Sequence, residues 1–180
     1  MNKTIVIDFP WPIHSNMNKY GRSRQSHLEK NIPYELMSYE QIENFPINDY
    51  ADSQCDLFLW ATHTTLPFCF KLLEKWGFKY HCTITWDKER GLSMLGFHRR
   101  TEFCVYAYRG KMGINQKGKF MDTIIRTPYT KHSEKPRLFY SILTRHTQEP
   151  RIDIFARKKH QGFSAYGNEY EEPLTLSQFT

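Results

Sequence analysis

The chain has 180 residues, enough for one full hydrophobic core and too few for two comfortable ones, so a single domain over 1–180 is expected. Aromatic residues make up 16% of it, which excludes a disordered chain and supplies surfaces on which bases can stack. The formal net charge of +6 favours a polyanionic partner, nucleic acid first, and no apolar run approaches the length that spans a bilayer.

The first predicted element is a buried strand at Thr4–Ile7, a run of β-branched residues without alternation. Pro10 removes a backbone donor and restricts Phe9, so the strand must stop and leave Asp8 at its carboxyl end, where open α/β sheets place their ligand chemistry. Residues 14–33 follow, polar, basic and nearly free of aliphatic side chains, a loop too long for a routine connection. Ser38 and Gln41 have the capping-box spacing that opens a short helix in SYEQIENF, and CDLFLWAT reads as the second buried strand. In TLPFCFKLLEKWGF, Pro67 sits in a first turn, Cys69, Phe70, Leu72, Leu73 and Trp76 recur at helical spacing, and Gly77 is a stop. YHCTITW and TEFCVYAYRG read as strands flanking residues 87–100, DKERGLSMLGFHRR, a basic glycine-containing segment expected to be a second loop. SEKPRLFYSILTRH reads as a helix with Ser133 as its cap and Pro136 in its first turn, and RIDIFAR as one more buried strand. This alternation predicts an α/β fold with a mostly parallel sheet.

The four cysteines stand 13 or more positions apart, with no CxxC pair and no clustered histidines, so no metal site is expected. Each lies in an apolar run, where a free thiol acts as a small hydrophobe, as in a reducing compartment; with no signal-peptide pattern, a cytoplasmic location is expected. Neither GxGxxG nor GxxxxGK[ST] occurs, which removes a dinucleotide fingerprint and a P-loop. His14, His98, His132 and His160 are read as structural or substrate-contacting, without a proton-transfer role.

Seven segments then stand in a fixed order: VIDFPW, LFLWAT after an upstream FPI, LLEKWGF leading into ITWDK, RRTEFCVYAYRG, HSEKP, IDIFAR and GFSAYGNE. Together they resemble the adenine-N6 methyltransferase family typified by the catalytic subunit of the messenger-RNA adenosine methyltransferase, which also has phage and bacterial members. The departure is Phe9, which stands where that family usually has the first proline of its DPPW strand end. The resemblance implies a single-domain, Rossmann-like class I methyltransferase fold, circularly permuted, with helices on both faces of the sheet. The catalytic strand then comes first and the cofactor-binding strand last. It also implies methyl transfer from S-adenosyl-L-methionine to the N6 amine of adenine in nucleic acid, with DNA favoured over RNA, in a bacterial or phage-infected cell, and leaves a homo- or heterodimer open.

Adenine's exocyclic amine is a poor nucleophile because its lone pair is delocalised into the ring, so acceptors that favour the pyramidal form are needed. The Asp8 carboxylate and the Phe9 carbonyl are expected to accept one N–H each, while Pro10 fixes the turn and Trp11 stacks on a flipped or single-stranded base. For the cofactor, the resemblance implies Ile7, Asp8, Asp153, Ile154, Phe155 and Arg157 at the pocket wall and ribose end, and Ser133 beside them. Lys135 and Asn168 fall to the methionine carboxylate and Glu169 to the adenine. Arg22, Arg24 and Lys30 from the first loop and Arg90, Arg99 and Arg100 from the second are expected to hold phosphates. Two other readings stay open: a catalytically silent nucleic-acid-binding or scaffold subunit, and a methyltransferase acting on cytosine's amine, against which Asp8 argues.

Overall fold

The computed structural model of the chain describes residues 1–12, 35–94, 96–114, 121–128 and 134–167, and for 92–94 the backbone alone. The expected first loop with Arg22, Arg24 and Lys30, and also His14, His132, Ser133, Asn168 and Glu169, lie outside the described residues.

Strand β1 (Asn2–Ile7) is flanked on both sides, by β2 (Ala51–Ala61) and β6 (Arg151–Ile154), and the full sheet runs β5-β3-β4-β2-β1-β6-β7. Its other members are β3 (Lys79–Met94), β4 (Phe97–Arg109), β5 (Ile124–Arg126) and β7 (Ser164–Tyr166). Only β4 runs against the rest, pairing antiparallel with β2 and β3, so the expectation of a mostly parallel sheet holds. Because strand side chains alternate between faces, each central strand feeds two cores. Ile5, Ile7, Leu57, Leu59, Val105 and Ala107 pack with Ile42 of α1 (Tyr39–Glu43) and with Cys69, Leu72, Leu73 and Trp76 of α2 (Leu66–Trp76). Val6, Phe58, Trp60, Cys104 and Tyr106 pack with Phe139, Tyr140 and Leu143 of α3 (Arg137–His146) on the other face. Among the described residues no helix is long and apolar enough to cross a membrane.

Local signals explain where the helices start and stop. The Ser38 hydroxyl accepts from the Gln41 amide at 3.1 Å and the Gln41 side chain accepts from the Ser38 amide at 2.8 Å, completing the capping box. Gly77 ends α2 at φ 72°, a left-handed conformation that costs a residue without Cβ nothing. Pro136 is the N-cap of α3 rather than part of its first turn, so that helix begins later than its sequence suggests. Phe70 is exposed on the outer side of α2 and meets Tyr80 edge to face instead of joining the core. RIDIFAR is strand only as far as Ile154, because Phe155 turns left-handed at φ 62°.

The largest correction concerns residues 87–100. Of these, 87–94 and 97–100 form the ends of β3 and β4, a long hairpin, in place of the expected loop. Leu92 pairs with Arg99, Ser93 with His98 and Met94 with Phe97, so the backbone donors are satisfied by a ladder although the composition is that of a loop. Strands β5 and β7, three residues each, were too short to carry a periodic signal.

Phe9, the departure from the DPPW pattern, is a core residue. It is buried among the rings of Trp11, Phe45, Trp76 and Phe155, with centroids 5.3–6.1 Å away. The cluster ties the turn after β1 to Phe155 beyond β6, to Phe45 and to Trp76 of α2. Phe9→Ala should therefore lower unfolding free energy by about 3–5 kcal/mol in urea titration, and Phe9→Pro by a similar amount, since proline fills little of that space.

Candidate active site

The turn after β1 is fixed by three backbone bonds. The Asp8 amide donates to the Ile154 carbonyl at 3.3 Å, the Trp11 amide to the Phe9 carbonyl at 2.8 Å, and the Met37 amide to the Pro10 carbonyl at 2.9 Å. Asp8 is thereby placed just beyond the paired ends Ile7 and Ile154, on the same face as Val6 and Asp153. The Trp11 indole N–H donates to the Trp60 carbonyl at 3.1 Å and its ring meets Phe9 and Phe68 edge-on, which leaves it partly buried and fixed in direction.

On that face four charges alternate. Lys135 Nζ lies 3.0 Å from Asp8 Oδ2 and 2.9 Å from Glu102 Oε2, and Lys88 Nζ lies 2.9 Å from Glu102 Oε1. The Lys135 ammonium also sits 5.1 Å from the centroid of the Trp60 ring, within cation–π range. The four residues come from the turn after β1, from β3, from β4 and from the segment before α3, so the constellation exists only in the folded chain. Glu102 and Lys88 were not singled out from the sequence; an acid inside the apolar run TEFCVYAY was the signal that could have found Glu102.

Burial pushes the Asp8 carboxyl up, and the Lys135 and Arg157 charges oppose that push. For Glu102 burial also acts upward, but Lys135 and Lys88 prevail and hold it at about 2. Burial alone would depress Lys135; the two carboxylates more than reverse it and raise it. Glu102 and Lys135 are thus charged at neutral pH, and Lys135 favours the ionised form of Asp8. The ion pair uses one oxygen of Asp8 and leaves Oδ1 outside it.

Asp153 is a different kind of acid. It is buried beside Tyr140, whose hydroxyl faces it, yet neither of its oxygens has a partner with good hydrogen-bond geometry among the described residues. Burial pushes it up to about 8. Tyr140 in turn stacks face to face on His160 at 3.4 Å, and burial takes that imidazole down to about 4. Of the other anticipated residues, Ile7, Ile154 and Phe155 bury their side chains in the core, so only their backbone can meet a ligand. Arg157 is half-buried with its charge felt by Asp8. Arg90, Arg99 and Arg100 stand on the hairpin, where Arg100 holds Asp87 at 2.7 Å and His98 bonds the Gly91 carbonyl at 2.7 Å.

The Asp153 shift has a sign that can be checked. Its folded value of about 8 lies above the ordinary 3.8, so the folded state binds the extra proton between those limits and its stability falls as pH rises through that window. Denaturant titrations from pH 4 to 9 (roughly that window) should show Asp153→Asn gaining on wild type as pH rises to about 8, with the gain constant above it. A difference independent of pH would mean that Asp153 is not protonated in the folded chain.

Residues 2–169 match the family model described as MT-A70. A protein of Medicago truncatula, named as a candidate MT-A70-like N(6)-adenosine-methyltransferase, is similar to the chain at 25% identity over 177 residues, which is 92% of this chain and 26% of that protein. The chain thus spans about a quarter of that curated relative's length. With a match that runs from the first strand of the sheet to beyond the last, the chain belongs to the MT-A70 family.

Proposed function

We propose that the chain is an S-adenosyl-L-methionine-dependent methyltransferase acting on the N6 amine of adenine in nucleic acid. The observation that carries this reading is Asp8: an acid at the end of a central strand, paired with a lysine that is itself held by a second carboxylate. Family membership supports the reaction class, and the net charge of +6 supports a polyanionic substrate. The permuted chain order is supported by β6 lying beside β1 in parallel, so that the carboxyl ends of the first strand and a late strand meet.

The residues present fit the cofactor. A buried carboxyl group, Asp153, whose oxygens have no partner among the described residues suits ribose hydroxyls, and an ammonium has three donors, of which Lys135 uses two on Asp8 and Glu102. Arg157 adds a second cation on the same side. When bound, S-adenosylmethionine supplies an electrophilic methyl group on a sulfonium.

The remaining chemistry belongs to the chain. Asp8 Oδ1 accepts one N–H of the adenine amine, while Lys135 holds the other oxygen and fixes the carboxylate's orientation. The Phe9 carbonyl already accepts from Trp11, and its second lone pair takes the other amine N–H. Two acceptors draw the amine toward its pyramidal form and direct its lone pair, without prior removal of a proton. Trp11, tethered through its indole N–H, offers a ring of fixed position for the base. Once methylated, the amine nitrogen is positively charged until one of its two protons departs, and the carboxylate form of Asp8, which Lys135 favours, accepts that proton.

The test is incubation with methyl-labelled cofactor and mixed DNA and RNA, followed by nucleoside analysis. Label in N6-methyladenine nucleosides is expected, and Asp8→Asn should lower turnover at least about hundredfold, as loss of one oriented polar group in an active site does. Cofactor affinity by calorimetry should survive within a few-fold (roughly 1 kcal/mol). Label in cytosine, or cofactor binding with no labelled nucleoside, would contradict the proposal.

A further inference from the structure

The β3–β4 hairpin outruns the sheet that anchors it. The last β2 partner of β4 is Phe103 and the last β5 partner of β3 is Asp87, so among the described residues no other strand pairs with the hairpin beyond those points. From Glu102 to Phe97 is five residues, about 16 Å of strand at the usual rise. The base of this ribbon is part of the candidate active site, since Lys88 and Glu102 belong to the charge chain that reaches Asp8. Its shape is built in. Between the pairs Asp87–Thr101 and Leu92–Arg99, β3 advances five positions while β4 advances two, a bulge in which Glu89 takes φ 61° and the backbone of Arg99 and Arg100 leaves no room for a Cβ at Gly91.

At the tip stands Phe97, 76% exposed, in a stretch that also carries Leu92, Met94 and Leu95 in sequence, while the ribbon nearer the sheet is polar and basic. Arg90, Arg99 and Arg100 accompany it, against Asp87 and Glu89 nearer the base; Asp87 is taken up by Arg100 and Lys88 by Glu102. Phe97 is a large and exposed apolar side chain. It is the type of group that proteins insert between base steps, and cations beside it meet phosphates.

Resting on the methyltransferase reading above, we propose that the β3–β4 hairpin enters the major groove of double-stranded DNA and that Phe97 inserts at the base step beside the target adenine, holding open the gap left when that base turns toward Asp8. A two-stranded ribbon fits the major groove of B-form DNA, whereas the major groove of A-form RNA is too narrow and deep to admit one. The geometry therefore selects duplex DNA among nucleic acids. Phe97 acts as a positioning residue: it favours the flipped state of the base and takes no part in methyl transfer.

Wild type, Phe97→Ala and Phe97→Trp are compared on native genomic DNA, the same DNA heat-denatured, and double-stranded RNA, with methyl-labelled cofactor. Phe97→Ala should slow transfer to native DNA about tenfold, the scale of one lost base–aromatic stack, and leave transfer to denatured DNA within about twofold. Phe97→Trp should restore the native-DNA rate, and double-stranded RNA should be the poorest substrate. Equal effects on native and denatured DNA, no effect on either, or a wild type that prefers double-stranded RNA would overturn the proposal, as would a solution dimer that Phe97→Ala disperses. A wild type that methylates nothing refutes the methyltransferase reading instead. The hairpin is then judged on duplex DNA carrying 2-aminopurine in place of adenine: brightening on binding with wild type but not with Phe97→Ala upholds it, and no brightening overturns it.

Discussion

Everything at the carboxyl edge of the sheet depends on one shared cation. Lys135 is close to both Asp8 and Glu102 and is largely withdrawn from water, so its ammonium neutralises two acids that would otherwise repel each other. Buried ion pairs stabilise a fold little, because desolvation offsets most of the Coulomb gain, but removing one partner strands the other at a cost of several kcal/mol, on the order of 3–5. The arrangement is therefore better understood as a means of specifying charge state and direction. Lys88 completes the alternation on the far side of Glu102, which keeps that acid ionised and Lys135 in turn available to Asp8.

The fold delivers these groups by topology. β1 in the centre brings Asp8 to the edge, antiparallel β4 starts at that same edge and so offers Glu102 there, and β3 leaves toward the hairpin carrying Lys88. The segment before α3 then crosses to bring Lys135 over the Trp60 ring. Phe9 works on the opposite face, where its ring locks the turn against α2, while its carbonyl stays at the edge. One residue thus serves the core by its side chain and, in the proposed chemistry, the substrate amine by its backbone. On that proposal an aromatic can stand in the place of a proline and still present the same backbone acceptor.

Much of this was legible from residues alone, and what was not has physical reasons. The β-branched run ending at Asp8, the Ser38 capping box and the Gly77 stop rest on local interactions, which short segments carry in full. The hairpin did not read as strand because its segment is rich in charge and holds two glycines, and its bulge breaks what register there is. The charge chain joins residues far apart in sequence, and nothing local distinguishes Lys135 as the partner of Asp8 from Lys135 as a surface cation. Phe9 read as a departure from a motif when it is a core side chain, since burial is a property of the fold and not of the motif.

The dependence of Asp8 on Lys135 is open to direct measurement. Carbon-13 NMR of carboxyl-labelled aspartate, assigned through Asp8→Asn, follows the Asp8 titration in wild type and in Lys135→Met. Burial already raises this carboxyl and Lys135 holds it down, so the midpoint should move to higher pH when the cation is removed. An unchanged or lower midpoint would contradict the shared-cation arrangement on which the proposed chemistry rests.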